Sequence, residues 1–518
     1  MNTTTRLGKT PRHLLGTVGQ AIRLSFIEDA DTRTASERRA DGVARRKLVP
    51  RSSHAEWLPA PDRPDPVYLL RSQGETRVQE LLPLRYERMS ASAFAFYRGG
   101  ALIMASDLAR TPSSGLEVQA CGDAHISNFG LFYSPERRTV FDINDFDETS
   151  RGPWEWDVKR LATSVEICGR DRGFADADRE EAVLACVQGY REAMDAFAHM
   201  GEMDVWYAHT DVDDLLARFA GGDARDGART DKDGDKRKGK GGKTKRDKAV
   251  AKSAKKAAKL VAKAKSKDSA RAIAKLTEVV DGQLRIVSDP PVVVPLRSMA
   301  ERVGKADFVD ADTMKKLISL ALAEYRHTLS PDKRRLVERY HGVDMAQKVV
   351  GVGSVGTRAF IVVMQGATED DHLVLQVKEA QESVLERYCG KSAAREHGQR
   401  VVEGQRAMQT ASDMLLGWCR LPVPSGGFKD YYVRQLWDGK GSIDLASVSK
   451  RQLKALAAAC GRTLAHAHAR TGDRFAIAGY LGSSDKFDRA IARFAVAYAD
   501  QNEADYARFM QALSAGEL

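Results

Sequence analysis

Cys121-Gly122-Asp123-Ala124-His125-Ile126-Ser127-Asn128, followed by Asn144-Asp145-Phe146-Asp147, is the stretch on which the reading of this chain turns. In front of it, Leu116-Glu117-Val118-Gln119-Ala120 alternates as a strand does, and Thr139-Val140-Phe141 is a second short strand candidate. Asp123 and Asn128 therefore sit in a loop that leaves a strand, and Asp145 follows after another strand. Phosphoryl transfer needs a carboxylate to orient the attacking hydroxyl, plus an amide and a carboxylate to hold Mg²⁺ against the phosphates. Mg²⁺ takes oxygen ligands and keeps several waters, so two protein ligands suffice. Asp123 supplies the first part, with His125 beside it as the other catalytic candidate. Asn128 and Asp145 supply the metal ligands.

The same residues admit other chemistry. A calcium loop starting at Asp142 fails, because its sixth position is Asp147 rather than Gly and its twelfth is Pro153. A metal-dependent hydrolase built on Asp123, His125 and Asp145 stays open, since Asp and His are general metal ligands. A purely structural role for so many acids in an apolar setting runs against the cost of burying unpaired carboxylates.

Working outward, a second motif is Gly351-Val352-Gly353-Ser354-Val355-Gly356-Thr357-Arg358, with strand-like sequence over 348–363. Glycines let backbone amides approach phosphates that side chains would obstruct. Gly351, Gly353, Ser354 and Gly356 are the candidate phosphate contacts. Leu375-Gln376-Val377-Lys378 follows on the next strand, and a Gly-rich hairpin before a strand with one inward lysine is how kinases hold ATP phosphates. Glu403, on a helical stretch over 393–414, is the first choice to pair with Lys378, ahead of Glu396, Glu386 and Glu382. A snorkelling edge lysine is the plain alternative for Lys378.

The rest of the chain sets bounds. A hydrophobic fraction of 43% excludes global disorder, and no run approaches the roughly 18 to 20 apolar residues of a membrane span. Six scattered cysteines with no metal-type or redox spacing point to a cytoplasmic protein with reduced thiols. The net charge of +10 is local: residues 221–275 carry 20 Lys and Arg against 7 Asp and Glu, so the remainder is slightly acidic. That segment reads as a solvated, partly disordered insertion. A weak nucleic-acid contact is its alternative, made unlikely by the lack of aromatic residues for base stacking.

The quoted motifs resemble two families. Pro50-Arg51-Ser52-Ser53-His54-Ala55, Phe94-Ala95-Phe96-Tyr97-Arg98-Gly99, the 121–125 and 144–148 segments, Trp154-Glu155-Trp156-Asp157-Val158-Lys159-Arg160 and Gly404-Gln405-Arg406 resemble a bacterial family termed domain of unknown function 2252. That resemblance spans about residues 51–498 and implies no activity. More remotely, Gly122-Asp123-Ala124-His125-Ile126-Ser127-Asn128 is similar to the catalytic loop of aminoglycoside phosphotransferases and choline kinases. Ile143-Asn144-Asp145-Phe146-Asp147 is similar to their metal-binding segment. This second resemblance implies Asp123 as base, Asn128 and Asp145 on Mg²⁺, and Asp157 as the brace behind the catalytic loop. In those kinases the Gly-rich hairpin comes first; here it follows, which implies a circular permutation.

The expectation is thus an α+β, two-lobed, kinase-like fold, circularly permuted, with a Lys-rich insertion. It divides into a flexible arm (1–45), a helical lobe with the catalytic and metal loops (46–220), the insertion (221–275) and a helical continuation of the large lobe (276–345). A small nucleotide-binding lobe with its hinge (346–440) and returning helices (441–518) complete it. The expected activity is ATP- and Mg²⁺-dependent transfer to a small-molecule hydroxyl or amine, with no membrane partner. A non-catalytic nucleotide-binding relative is the first rival. Such a fold requires Lys378 to come within roughly 10 Å of Asp145, although it lies far later in the chain.

Overall fold

The structure, a computed structural model, describes residues 31–210, 212, 269–300, 311–349, 351, 353, 355–423, 427–436 and 441–518. Its architecture is α+β, with a large helical body and a six-stranded sheet. The body is organised on helix Trp154–Asp171. Pro153 precedes it, Glu155 and Asp157 occupy its first turn and Arg170 its last, the charge order that complements a helix dipole. Residues 154–169 are all buried, because helices Asp176–Phe197, Lys450–Thr471 and Lys486–Ser514 surround it. Trp154 stacks on Tyr190 at 5.6 Å. The buried Lys159 ammonium donates to Thr111 Oγ1 at 2.9 Å and lies 4.7 Å from the Phe494 ring centre.

Helix Ala35–Leu48 corrects the expected flexible arm over 1–45. Thr34 and Glu37 close its N-terminus with a capping box, and it docks on helix Arg474–Leu481. A Cβ on Gly42 would fall 1.9 Å from the Ala476 carbonyl oxygen, and one on Gly479 would fall 2.2 Å from that of Arg39. The helix buries a glycine rather than an apolar stripe, so its sequence carries no core signal. Residues 1–30 lie outside the described residues.

The six antiparallel strands run in the order Gly417–Pro422, Phe428–Gln435, His372–Ala380, Ala359–Gln365, His341–Lys348, Val293–Pro295. Alternation in His372–Ala380 decides the faces. Leu373 and Leu375, with Val377, pack beside Tyr325 and Leu329, whereas Val374 packs beside Ala272 and Ile286. Gln376 and Lys378, in phase with Val374, line a cleft against the helical body. Helix His397–Met408, shorter than the expected 393–414, packs between sheet and body.

Residues 276–345 were expected to extend the large lobe; the described ones, 276–300 and 311–345, join or cover the sheet instead. Val293–Pro295 adds an edge strand, the Tyr325 hydroxyl donates to the Leu415 carbonyl at 2.6 Å, and Trp418 N donates to Thr328 Oγ1 at 3.1 Å. An amphipathic helix has the same period whichever body it covers, so the pattern did not distinguish them. The strand that leads into the Gly-rich turn likewise begins before the expected 346, at His341. Most of the Lys-rich insertion, 221–268, lies outside the described residues. Its end belongs to helix Ser269–Leu276, with Ala272 buried. Among the described residues no helix is long and apolar enough to cross a membrane.

Helices Lys450–Thr471 and Asp176–Phe197 approach closely at two glycines. A Cβ on Gly461 would lie 2.0 Å from the Cys186 carbonyl oxygen, and one on Gly189 would lie 2.6 Å from that of Ala458. Gly461→Ala is therefore expected to destabilise the fold by roughly 1–3 kcal/mol in urea unfolding. Gly342→Ala, whose Cβ would meet nothing within 4 Å, serves as the tolerant control.

Candidate active site

Strand Glu117–Ala120 delivers the chain into Gly122, whose φ of +77° and closeness to the Glu148 carbonyl (2.3 Å from a built Cβ) admit only glycine. The loop is then held by one face of helix Trp154–Asp171. Asp157 accepts Cys121 N at 2.6 Å and Gly122 N at 3.0 Å, and Ser164 Oγ accepts Ile126 N at 2.8 Å. Arg160, between them on the same face, donates through Nε to Asp123 Oδ1 at 2.7 Å. Behind the loop, His468 Nε2 lies 3.1 Å from Asp157 Oδ2, and its Nδ1 lies 2.9 Å from the Tyr190 hydroxyl. Asp157 thus bonds the start of the loop from the helix behind it, and His468 bonds Asp157 in turn. His466 is engaged elsewhere, with Nε2 at 2.7 Å from the Val205 carbonyl.

The buried Arg160 pairs with the half-buried Asp123. Burial disfavours the charge on Arg160, but Asp123 more than offsets this and raises its pKa. His125 Nε2 lies 3.7 Å from Asp123 Oδ2, while its Nδ1 is buried without a partner. Burial pushes the imidazole down to about 4, so it is neutral near pH 7.

The Asn128 amide donates to the carbonyls of Asp145 (2.9 Å) and Asp123 (3.1 Å). Those bonds fix its rotamer and leave Oδ1 buried without a partner. An enclosed oxygen on a residue that lines the same cavity as Asp145 suits a hard cation that completes its shell with water. Among the described residues no group of three or more His, Cys, Asp or Glu is arranged to hold a metal.

Lys378 joins the sheet to this loop. Its ammonium, 2% exposed, lies 3.7 Å from Asp145 Oδ2 and pairs directly with Asp147 Oδ2. Asp147 Oδ1 accepts the Tyr432 hydroxyl at 2.8 Å. Burial opposes the charge on Lys378, yet Asp145 and Asp147 together hold its pKa above the ordinary lysine value. Glu403 corrects an expectation: it is exposed and accepts Gln399 Nε2 at 2.8 Å. The helix instead turns Gln405 and Arg400 inward. Gln405 lines the cleft, and Arg400 donates to the Asp147 carbonyl at 2.8 Å and that of Gln381 at 2.7 Å.

The Gly-rich turn closes over the site. Gly351 and Gly353 line the cleft, and Gly356 has φ +92°. Arg77 pins the turn by donating to the carbonyls of Gly353 (3.0 Å) and Val355 (2.5 Å), while Val78 N donates to the Gly356 carbonyl at 2.7 Å. Ser354 lies outside the described residues. The cleft, ≈ 490 Å³, is lined by Asp123, Asn128 and Asp145 from the helical body and by Lys378, Gln376 and Leu436 from the sheet side. Arg98, Arg160 and Arg77 were not singled out from the sequence. Arg160 had a local signal, one helical turn after Asp157; the other two meet the site only through tertiary packing.

A family model described as "Uncharacterized protein conserved in bacteria (DUF2252)" matches residues 77–231 and 240–512, a range that includes every lining residue of this cleft except Gln73. The chain belongs to that family. No curated protein and no solved structure matches it.

Asp157→Ala is expected to leave two buried amides and His468 without their acceptor, lowering stability by about 3 kcal/mol or more in urea unfolding. Glu403→Ala, on the exposed side of its helix, is expected to stay within about 0.5 kcal/mol of wild type.

Proposed function

We propose that this protein transfers the γ-phosphoryl group of Mg-ATP to a hydroxyl or amine of a small molecule, on a two-lobed kinase-like fold whose lobes are circularly permuted. The observation that carries the reading is the meeting of Lys378 with Asp145 and Asp147 in the cleft that also holds Asp123 and Asn128. Lysine above and carboxylates below is the arrangement by which kinases clamp nucleotide phosphates and their metal. Further support comes from element order: a Gly-rich hairpin, the lysine strand, a single helical turn and one longer helix, then two strands leading to residue 436 at the cleft edge.

In this reading Lys378 binds the α/β-phosphates and the Gly351–Gly356 turn presents backbone amides to them. Asn128 Oδ1 and Asp145 would hold Mg²⁺, which neutralises phosphate charge when bound. Asp123 orients the acceptor and takes its proton, with Arg160 fixing the carboxylate. Asp157 keeps the loop in place. A neutral buried His125 suits a packing and orienting role better than acid catalysis. The hydrolase alternative is less well supported, because His125 and Asp123 do not join Asp145 in a three-ligand cluster.

Mg-ATP at a hundredfold excess over its dissociation constant is expected to stabilise the protein by about 2.7 kcal/mol. Asp123→Asn should cut turnover by about 10² to 10⁴ while nucleotide affinity holds, and Asp145→Asn should weaken Mg-ATP binding. Slow acceptor-free ATP consumption and thermal-shift titration read both effects. Full turnover in Asp123→Asn, or no stabilisation by any nucleotide at millimolar concentration, would falsify the proposal.

A further inference from the structure

The Phe94-Ala95-Phe96-Tyr97-Arg98-Gly99 motif has no role in the mechanism above, yet its helix, Ala93–Gly99, abuts the site. Tyr97 has a supporting task. Its hydroxyl donates to the Arg160 carbonyl at 2.8 Å and its ring lies 4.6 Å from the Arg160 guanidinium, which in turn holds Asp123. Gly99 is required by packing, since a Cβ there would lie 2.7 Å from Met89 Sδ. Arg98 remains. It lines the same cavity as Asp123, Asn128 and Asp145. Its Nε is enclosed without a hydrogen-bond partner, and its backbone carbonyl lies 3.7 Å from a Cβ built on Gly353 in the Gly-rich turn. No carboxylate of the described residues forms an ion pair with it. An arginine with donor capacity unspent thus lines the cavity that holds the base and metal ligands, and its backbone packs near the turn that would cradle phosphates.

We infer that Arg98 is a further catalytic residue, contacting the equatorial oxygens of the γ-phosphoryl group as it passes from nucleotide to acceptor. The inference rests on the phosphotransferase reading and adds a charge-stabilising group that neither of its motifs contains. In the transfer, the bond from the γ-phosphorus to its bridging oxygen breaks and that electron pair stays on ADP. A bond to the acceptor oxygen forms, and the acceptor's proton passes to Asp123. Charge spreads over three equatorial oxygens at that moment, and a planar fork of N–H donors matches two of them. Lys378, engaged by Asp145 and Asp147, reaches the same cavity from the sheet. Burial disfavours the Arg98 charge, and the fields of Asp123 and Asp145 support it.

The experiment compares wild type, Arg98→Gln and Arg98→Lys in acceptor-free Mg-ATP turnover, in Mg-ATP binding by calorimetry, and in turnover with added guanidinium chloride at millimolar concentration. The expected result for Arg98→Gln is a loss of about 10³-fold or more in kcat. Its Mg-ATP dissociation constant should stay within about threefold of wild type, since the contact belongs to the transition state. Guanidinium should restore part of the Arg98→Gln rate and leave wild type unchanged. Arg98→Lys, which keeps the charge but loses the fork, should fall between the two. Retained kcat in Arg98→Gln overturns the assignment, as does a loss confined to nucleotide affinity. If both variants lose the folded circular-dichroism spectrum, Arg98 is structural and the assignment falls. A wild type that neither binds nor consumes Mg-ATP removes the phosphotransferase reading itself; an active wild type beside an equally active Arg98→Gln removes this inference alone.

Discussion

A buried ammonium must be neutralised where it is buried, and Lys378 meets that requirement with two carboxylates from a segment more than two hundred residues earlier. Removing either side of such a pair leaves an uncompensated charge, typically at a cost of about 3–5 kcal/mol. The constraint therefore fixes how the sheet sits on the helical body. Strand alternation aims Lys378 at the cleft, Tyr432 from the neighbouring strand bonds the same Asp147, and Arg400 ties the intervening helix to the Asp147 backbone. The cleft is a consequence of this junction. It is bounded by the same residues that hold the two bodies together.

A second constraint acts on the other wall. A loop carrying Asp123 and Asn128 has few internal bonds, and helix Trp154–Asp171 serves as a ruler for it. Positions 157, 160 and 164 lie on one face, and they hold the loop at its start, at its carboxylate and at its far turn. Asp157, 1% exposed, accepts two backbone amides and a histidine, so a rigid helix rather than a mobile loop determines where Asp123 points.

This division explains what the sequence made legible. Gly122, Asp123, Asn128 and Asp145 are separated by short local elements, so spacing alone brought them together, and Asp157 follows close behind. Lys378 was readable because a Gly-rich hairpin and the following strand form a local unit. Glu403 was misread because the choice among helical acids depends on phase. Val401, Val402 and Gln405 define the buried face, and position 403 turns outward from it. Arg98 stood in a motif that carried only the family resemblance, and Arg77 in none; their place at the site comes from the Gly-rich turn packing near them across the fold. The docked helix Ala35–Leu48 and the sheet-covering helix Ala311–His327 were misplaced for a related reason. Composition and period describe an element, not the surface that receives it.

The central claim is that Lys378 and Asp145, from distant parts of the chain, act on one Mg-nucleotide. A double-mutant cycle of Mg-ATP dissociation constants, by calorimetry on wild type, Lys378→Met, Asp145→Asn and the double variant, tests it most directly. The account predicts that each single change weakens binding and that the two effects are non-additive, with a coupling of roughly 0.5–3 kcal/mol. Additive losses, or unchanged affinity in either single variant, would contradict it.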